Sequence, residues 1–123
     1  MGFREHLEGM MAGVEGAVAA SVMGFDGIAI DTIESTSGEA ASELDIQTML
    51  IEYSNILNQL RQAAEVLQSG SVTELSVNTE KLVTLVRLLS DEYFAVLAMA
   101  PGANYGKARY VLRLTAPRLA AEL

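Results

Sequence analysis

Few residues in this chain are suited to chemistry. His6 is the single histidine, and there is no cysteine. Without a thiol, disulfides, thiol nucleophiles and thiolate metal sites are all excluded. A lone histidine on the polar side of a first helix has no second ligand and no nucleophile beside it, so it reads as an exposed side chain rather than a zinc ligand or triad member. Asp26 and Asp31 flank a hairpin, where paired carboxylates are commonplace, and turn geometry accounts for Asp26 better than acid–base chemistry does. Gly102-Ala103-Asn104-Tyr105-Gly106 is loosely glycine-rich but lacks the Gly-Lys-Ser/Thr ending of a phosphate-binding loop. Arg109 and Arg113 share one flank of a C-terminal helix, and Lys107 and Arg118 fall on the other. The first reading of these cations is solvated flanks beside an apolar seam, with docking onto an acidic surface as the alternative. These residues give no catalytic, cofactor-binding or metal-binding constellation, and no enzyme activity of the chain's own is expected.

The elements that position these residues follow from patterning. Phe3, Leu7, Met10, Met11 and Val14 recur at helical spacing until Gly13 and Gly16 interrupt them. Ala17–Met23 and Ile28–Ile33 are strand-like runs around Gly24-Phe25-Asp26-Gly27, where Asp-Gly is expected to supply the positive φ angles of a tight hairpin. Ser35-Thr36-Ser37-Gly38 reads as a loop. Ser42 and Asp45 have capping-box spacing, and Gly70 is placed to stop the helix that follows, which would have about 28 residues and extend about 42 Å. Thr73–Asn78 alternates, with Glu74, Ser76 and Asn78 looking outward, as suits an edge strand. Leu82–Leu89 and Tyr93–Met99 are nearly continuous apolar runs that need cover on both faces. Tyr105, Ala108, Leu112, Ala116, Leu119 and Leu123 form a last helical stripe, with Pro117 expected to kink it. The order is α-β-β-α-β-β-β-α.

Composition narrows the class. Half of the 123 residues are hydrophobic and a fifth are charged, which argues against disorder and for one domain over 1–123. The formal net charge of −8 is uneven: residues 1–80 sum to −11 and residues 81–123 to +3. Such a chain repels a nucleic-acid backbone. No apolar run approaches the ~20 residues of a bilayer span, and no signal-peptide or myristoylation pattern opens the sequence. A cytoplasmic location is expected.

The long helix is the most informative segment. Ile46, Met49, Leu50, Tyr53, Ile56, Leu57, Leu60, Ala63, Ala64 and Leu67 cover an arc of roughly 140°, enough to lie on a sheet. The opposite face holds Thr48, Ile51, Asn55, Asn58 and Gln62 and almost no charge. Solvated helix faces favour Glu and Lys, so this neutral face suits contact with another protein. The edge strand, through Glu74, Leu75, Ser76 and Val77, suits pairing with a second copy.

Together these features make the chain resemble the roadblock family, which includes roadblock-type dynein light chains and bacterial MglB proteins. The resemblance rests on Val14-Glu15-Gly16-Ala17, on Asp26-Gly27-Ile28-Ala29-Ile30, on the long helix, and on Asn104-Tyr105-Gly106-Lys107-Ala108-Arg109-Tyr110. It implies a three-layer α/β/α sandwich, with a five-stranded antiparallel sheet between the long helix and the two terminal helices. It also implies a homodimer joined through the third strands, with the long helices side by side. MglB-like members act on small Ras-like GTPases and stimulate GTP hydrolysis without donating an arginine; other members are scaffolds or adaptors. The expectation is a dimeric regulator of a Ras-like GTPase, with a pure scaffold as the alternative.

Overall fold

Five strands form one antiparallel sheet in the order β2-β1-β5-β4-β3. The computed structural model describes residues 2–35 and 45–123. Helix α1 (Phe3–Gly13) leads into β1 (Ala17–Gly24) and β2 (Ala29–Glu34), and helix α2 (Ile46–Leu67) precedes β3 (Glu74–Asn78), β4 (Val83–Leu88), β5 (Tyr93–Met99) and helix α3 (Tyr105–Ala120). This is the three-layer order expected from the sequence.

The central strands β1 and β5 are the most apolar because both their faces are covered. On one face, Leu7 and Met10 of α1 and Ala108, Leu112 and Leu119 of α3 pack on Ala20, Val22, Leu85, Leu97 and Met99. On the other, Ile46, Leu50 and Leu57 of α2 pack on Met23, Val86, Phe94 and Val96. Tyr105 and Leu123, assigned to the α3 stripe, are instead exposed, and Thr115 joins the buried side. Its hydroxyl donates to the Val111 carbonyl at 2.8 Å, which satisfies it within the helix. Helix α3 continues for three residues beyond Pro117.

The hairpin differs from the expected turn in one respect. Gly27 alone has positive φ, at 88°, while Asp26 does not. The Gly27 N–H donates to the Gly24 carbonyl at 3.0 Å and the Gly24 N–H to the Ile28 carbonyl at 2.9 Å. That is a three-residue loop with one left-handed position. Asp26 Oδ1 accepts from the Ile28 N–H at 3.0 Å, and a Cβ on Gly24 would lie 2.5 Å from that same oxygen. Glycine at 24 therefore leaves room for the aspartate that closes the turn.

Helix α2 is shorter than its periodicity suggests. It has 22 residues, a length of about 33 Å. Its N-cap is Asp45, whose carboxylate accepts from the Thr48 N–H at 3.2 Å and the Thr48 hydroxyl at 2.7 Å. Ser42 and the loop at 36–38 lie outside the described residues. The helix stops before Gly70, at Gln68, which takes the left-handed conformation with φ 56°. Gln68 N–H donates to the Glu65 carbonyl and Ser69 N–H to the Ala64 carbonyl, both at 3.1 Å; this paired closure is the one that usually carries glycine at the left-handed residue.

Candidate functional site

The surface that could carry function is the β3 edge of the sheet and the two helical flanks beside it. Among the described residues, β3 pairs only with β4, in the register Glu74↔Arg87 to Asn78↔Val83. Its other side therefore presents unpaired backbone groups over five residues, about 17 Å. Leu75 and Val77 are half-buried, and Leu75 packs with the core beneath α2.

Glu74 and Ser76 lie on the opposite face; Ser76 is exposed as expected, but Glu74 does not look freely into solvent. Arg109 of α3 grips Glu74 with two nitrogens: Nη2 donates to Oε2 at 2.8 Å and Nε donates to Oε2 at 3.1 Å and to Oε1 at 3.2 Å. Tyr105 Oη donates to Ser76 Oγ at 3.1 Å. The Glu74 side chain is 16% exposed. Its hydrogen bonds from Arg109 hold its pKa below the ordinary carboxylate value against an opposing push from burial, with Arg87 and Arg113 adding at longer range. The Arg109 pKa is raised correspondingly, chiefly by the same hydrogen bonds.

The buried side of α2 is rotated from the expected arc. Its centre is Ile46, Leu50, Ser54 and Leu57. Ser54 fits there because its hydroxyl donates to the Ile51 carbonyl at 2.6 Å. Ile56 and Leu60, expected on the sheet, are 41% and 36% exposed, and Leu67 is 75% exposed. With half-buried Met49 and Tyr53 and exposed Ala63, they form a line at intervals of four, three, four, three and four residues, the spacing of a helix–helix seam. Thr84 of β4 donates to Met49 Sδ at 4.0 Å, whereas Asn58 on the other flank reaches the hairpin. The seam therefore lies on the β4–β3 side. Sequence reasoning missed it by assigning all ten apolar residues to the sheet; the regular three-four interval within that broad arc was the available signal.

Of the residues on the neutral face, Ile51 is 46% exposed, and Thr48, Asn55 and Gln62 are exposed as well. Asn58 is not free: its Nδ2 donates to the Phe25 carbonyl at 3.1 Å. Arg61 stacks 4.0 Å above the Phe25 ring and donates to the Asp91 carbonyl at 3.0 Å. Phe25 in turn packs on buried Phe94 with centroids 5.0 Å apart. These contacts tie α2 to the hairpin tip.

The candidate reactive groups are dispersed. His6 is buried, contrary to the exposed position expected, and its Nε2 lies 3.7 Å from Glu122 Oε1. It packs where α1 meets the end of α3. Asp31 pairs with Arg4 at 2.6 Å, and Asp26 is occupied in the turn. Among the described residues, no group of three or more His, Asp or Glu side chains is placed to hold a metal. An open groove of about 800 Å³ along the C-terminal half of α2 is lined by Asn58, Arg61, Gln62, Glu65, Gln68 and Asp91, among others. No helix among the described residues is long and apolar enough to cross a membrane.

No protein-family model matches the chain, and no curated protein is detectably similar. Solved structures are similar. MglC from Myxococcus xanthus is 54% identical, with all of both chains covered and a TM-score of 0.72. An MglB with tetrameric arrangement is 18% identical over 97% of this chain and 85% of its own, with a TM-score of 0.84. A Roadblock/LC7 domain from Streptomyces avermitilis is 13% identical over 98% of this chain and 97% of its own, with a TM-score of 0.81. The latter two likenesses concern the fold alone.

Proposed function

This chain belongs to the roadblock family, and from that premise we propose that it is a homodimeric, cytoplasmic interaction module that binds and regulates a small Ras-like GTPase. The observation that carries the reading is the apolar seam of α2 beside the open β3 edge. Two copies paired through Glu74, Leu75, Ser76 and Val77 would continue the sheet, and their α2 seams would meet above the joint. Burial of Ile56, Leu60 and Leu67 supplies the hydrophobic contribution, and main-chain bonds along β3 set the register. The neutral face of α2, with Thr48, Ile51, Asn55 and Gln62, would then stand on top of a two-helix platform. Asn58 borders that face but is engaged with the hairpin, so it acts by fixing the platform.

The proposed mechanism is mechanical rather than covalent. Arg109 is committed to Glu74, in keeping with a regulator that remodels the GTPase without inserting an arginine. A reaction with a Ras-like GTPase tests this: the wild-type chain is expected to raise the rate of GTP hydrolysis, and Ile51→Arg to abolish the increase while leaving the dimer mass intact. Binding without any change in hydrolysis would instead support an adaptor role. No binding in either form would contradict both.

A further inference from the structure

The β3 edge is apolar on its α2 side and cationic on its α3 side. Along α3, Tyr105, Arg109 and Arg113 recur every four residues on one flank; Tyr105 and Arg109 reach Ser76 and Glu74 of β3, and Arg87 stands directly across from Glu74 on β4. All three arginines act on the one carboxylate of Glu74. Among the described residues, the Arg87 and Arg113 side chains make no hydrogen bond or ion pair. Three guanidiniums against one carboxylate leave a local excess of positive charge on a chain whose net charge is −8.

We propose that Arg87, Arg109 and Arg113 form a docking site for an acidic peptide segment of a partner protein. Glu74 already displays the chemistry, since the fork of Arg109 holds its carboxylate by two nitrogens. A second carboxylate placed between Arg87 and Arg113 would halve the remaining excess, and a further acidic residue beside it in the same segment would remove the rest. Nucleic acid fits less well, because a long phosphate backbone would run from this patch onto a body that is acidic elsewhere. Doubling of the site rests on the dimer proposed above: pairing through β3 brings both sets of arginines toward one two-fold axis, so a segment bound there would strengthen dimerisation by linkage.

The test titrates fluorescein-labelled octaglutamate with the full chain in about 50 mM salt, where surface charges are weakly screened. Saturable binding is expected. It should weaken about tenfold in Arg87→Gln/Arg113→Gln, which keeps the Arg109–Glu74 pair, and stay unchanged in Lys107→Gln on the opposite flank. Glu74→Gln, which releases Arg109, should bind more tightly. Absence of saturable binding, equal binding by the double variant, or preference for an oligonucleotide of equal charge would overturn the proposal. Light scattering on the same samples separates the two readings. A monomer that binds one peptide per chain retains the docking site and rejects the dimer; a dimer that binds none does the reverse.

Discussion

The Glu74 carboxylate sits where a strand edge meets a helix, and its protonation makes that joint sensitive to pH. Because its pKa is lowered in the folded chain, it contributes stability above the unfolded carboxylate range, and that contribution is lost as pH falls through the folded value. Arg109→Gln is therefore expected to lower the urea midpoint at pH 7, with the difference from wild type disappearing in acid below the Glu74 titration. An unchanged difference across that range would assign the effect to packing of the arginine stem. The pair was not legible in the sequence, since its members stand 35 residues apart and only the fold brings them together. Asp26 was legible because its bond to Ile28 is local. His6 was misplaced for the opposite reason: its own helix leaves it on the polar side, and the end of α3 covers it.

Among the elements, α2 shows both the reach and the limit of reading by periodicity. Its existence and apolar character follow from spacing, as do the doubly covered strands β1 and β5. Its two ends and the angle of its buried side do not. Asp45 rather than an earlier residue caps it, and Gln68 closes it in a conformation that costs a side-chain-bearing residue about 1 kcal/mol. Gln68→Gly is accordingly predicted to stabilise the chain by about 1 kcal/mol, read from a higher denaturant midpoint at unchanged slope. Loss of stability would mean that the glutamine side chain makes a compensating contact. The rotation of the buried side reflects what the sheet offers: Ser54 and Leu57 meet it, while Ile56 and Leu60 overhang toward β3. A single helical wheel cannot divide a broad apolar arc between a sheet and a partner, because both favour the same residue types.

For the whole molecule, the α2 seam, the open β3 edge and the Arg87–Arg109–Arg113 face all lie on one side, and their functions depend on whether a second copy closes that side. Leu60→Arg places a charge in the centre of the seam, 36% exposed in one chain and buried in the proposed pair. It is predicted to yield a folded monomer with unchanged far-ultraviolet circular dichroism, because the same side chain has water to reach when the chain is alone. The most direct test of the account is the mass of the wild-type protein by light scattering over a concentration series. The account predicts a stable value near twice the chain mass of 13.2 kDa, reduced to one chain mass by Leu60→Arg. A wild-type chain that stays at 13.2 kDa throughout the series would contradict it.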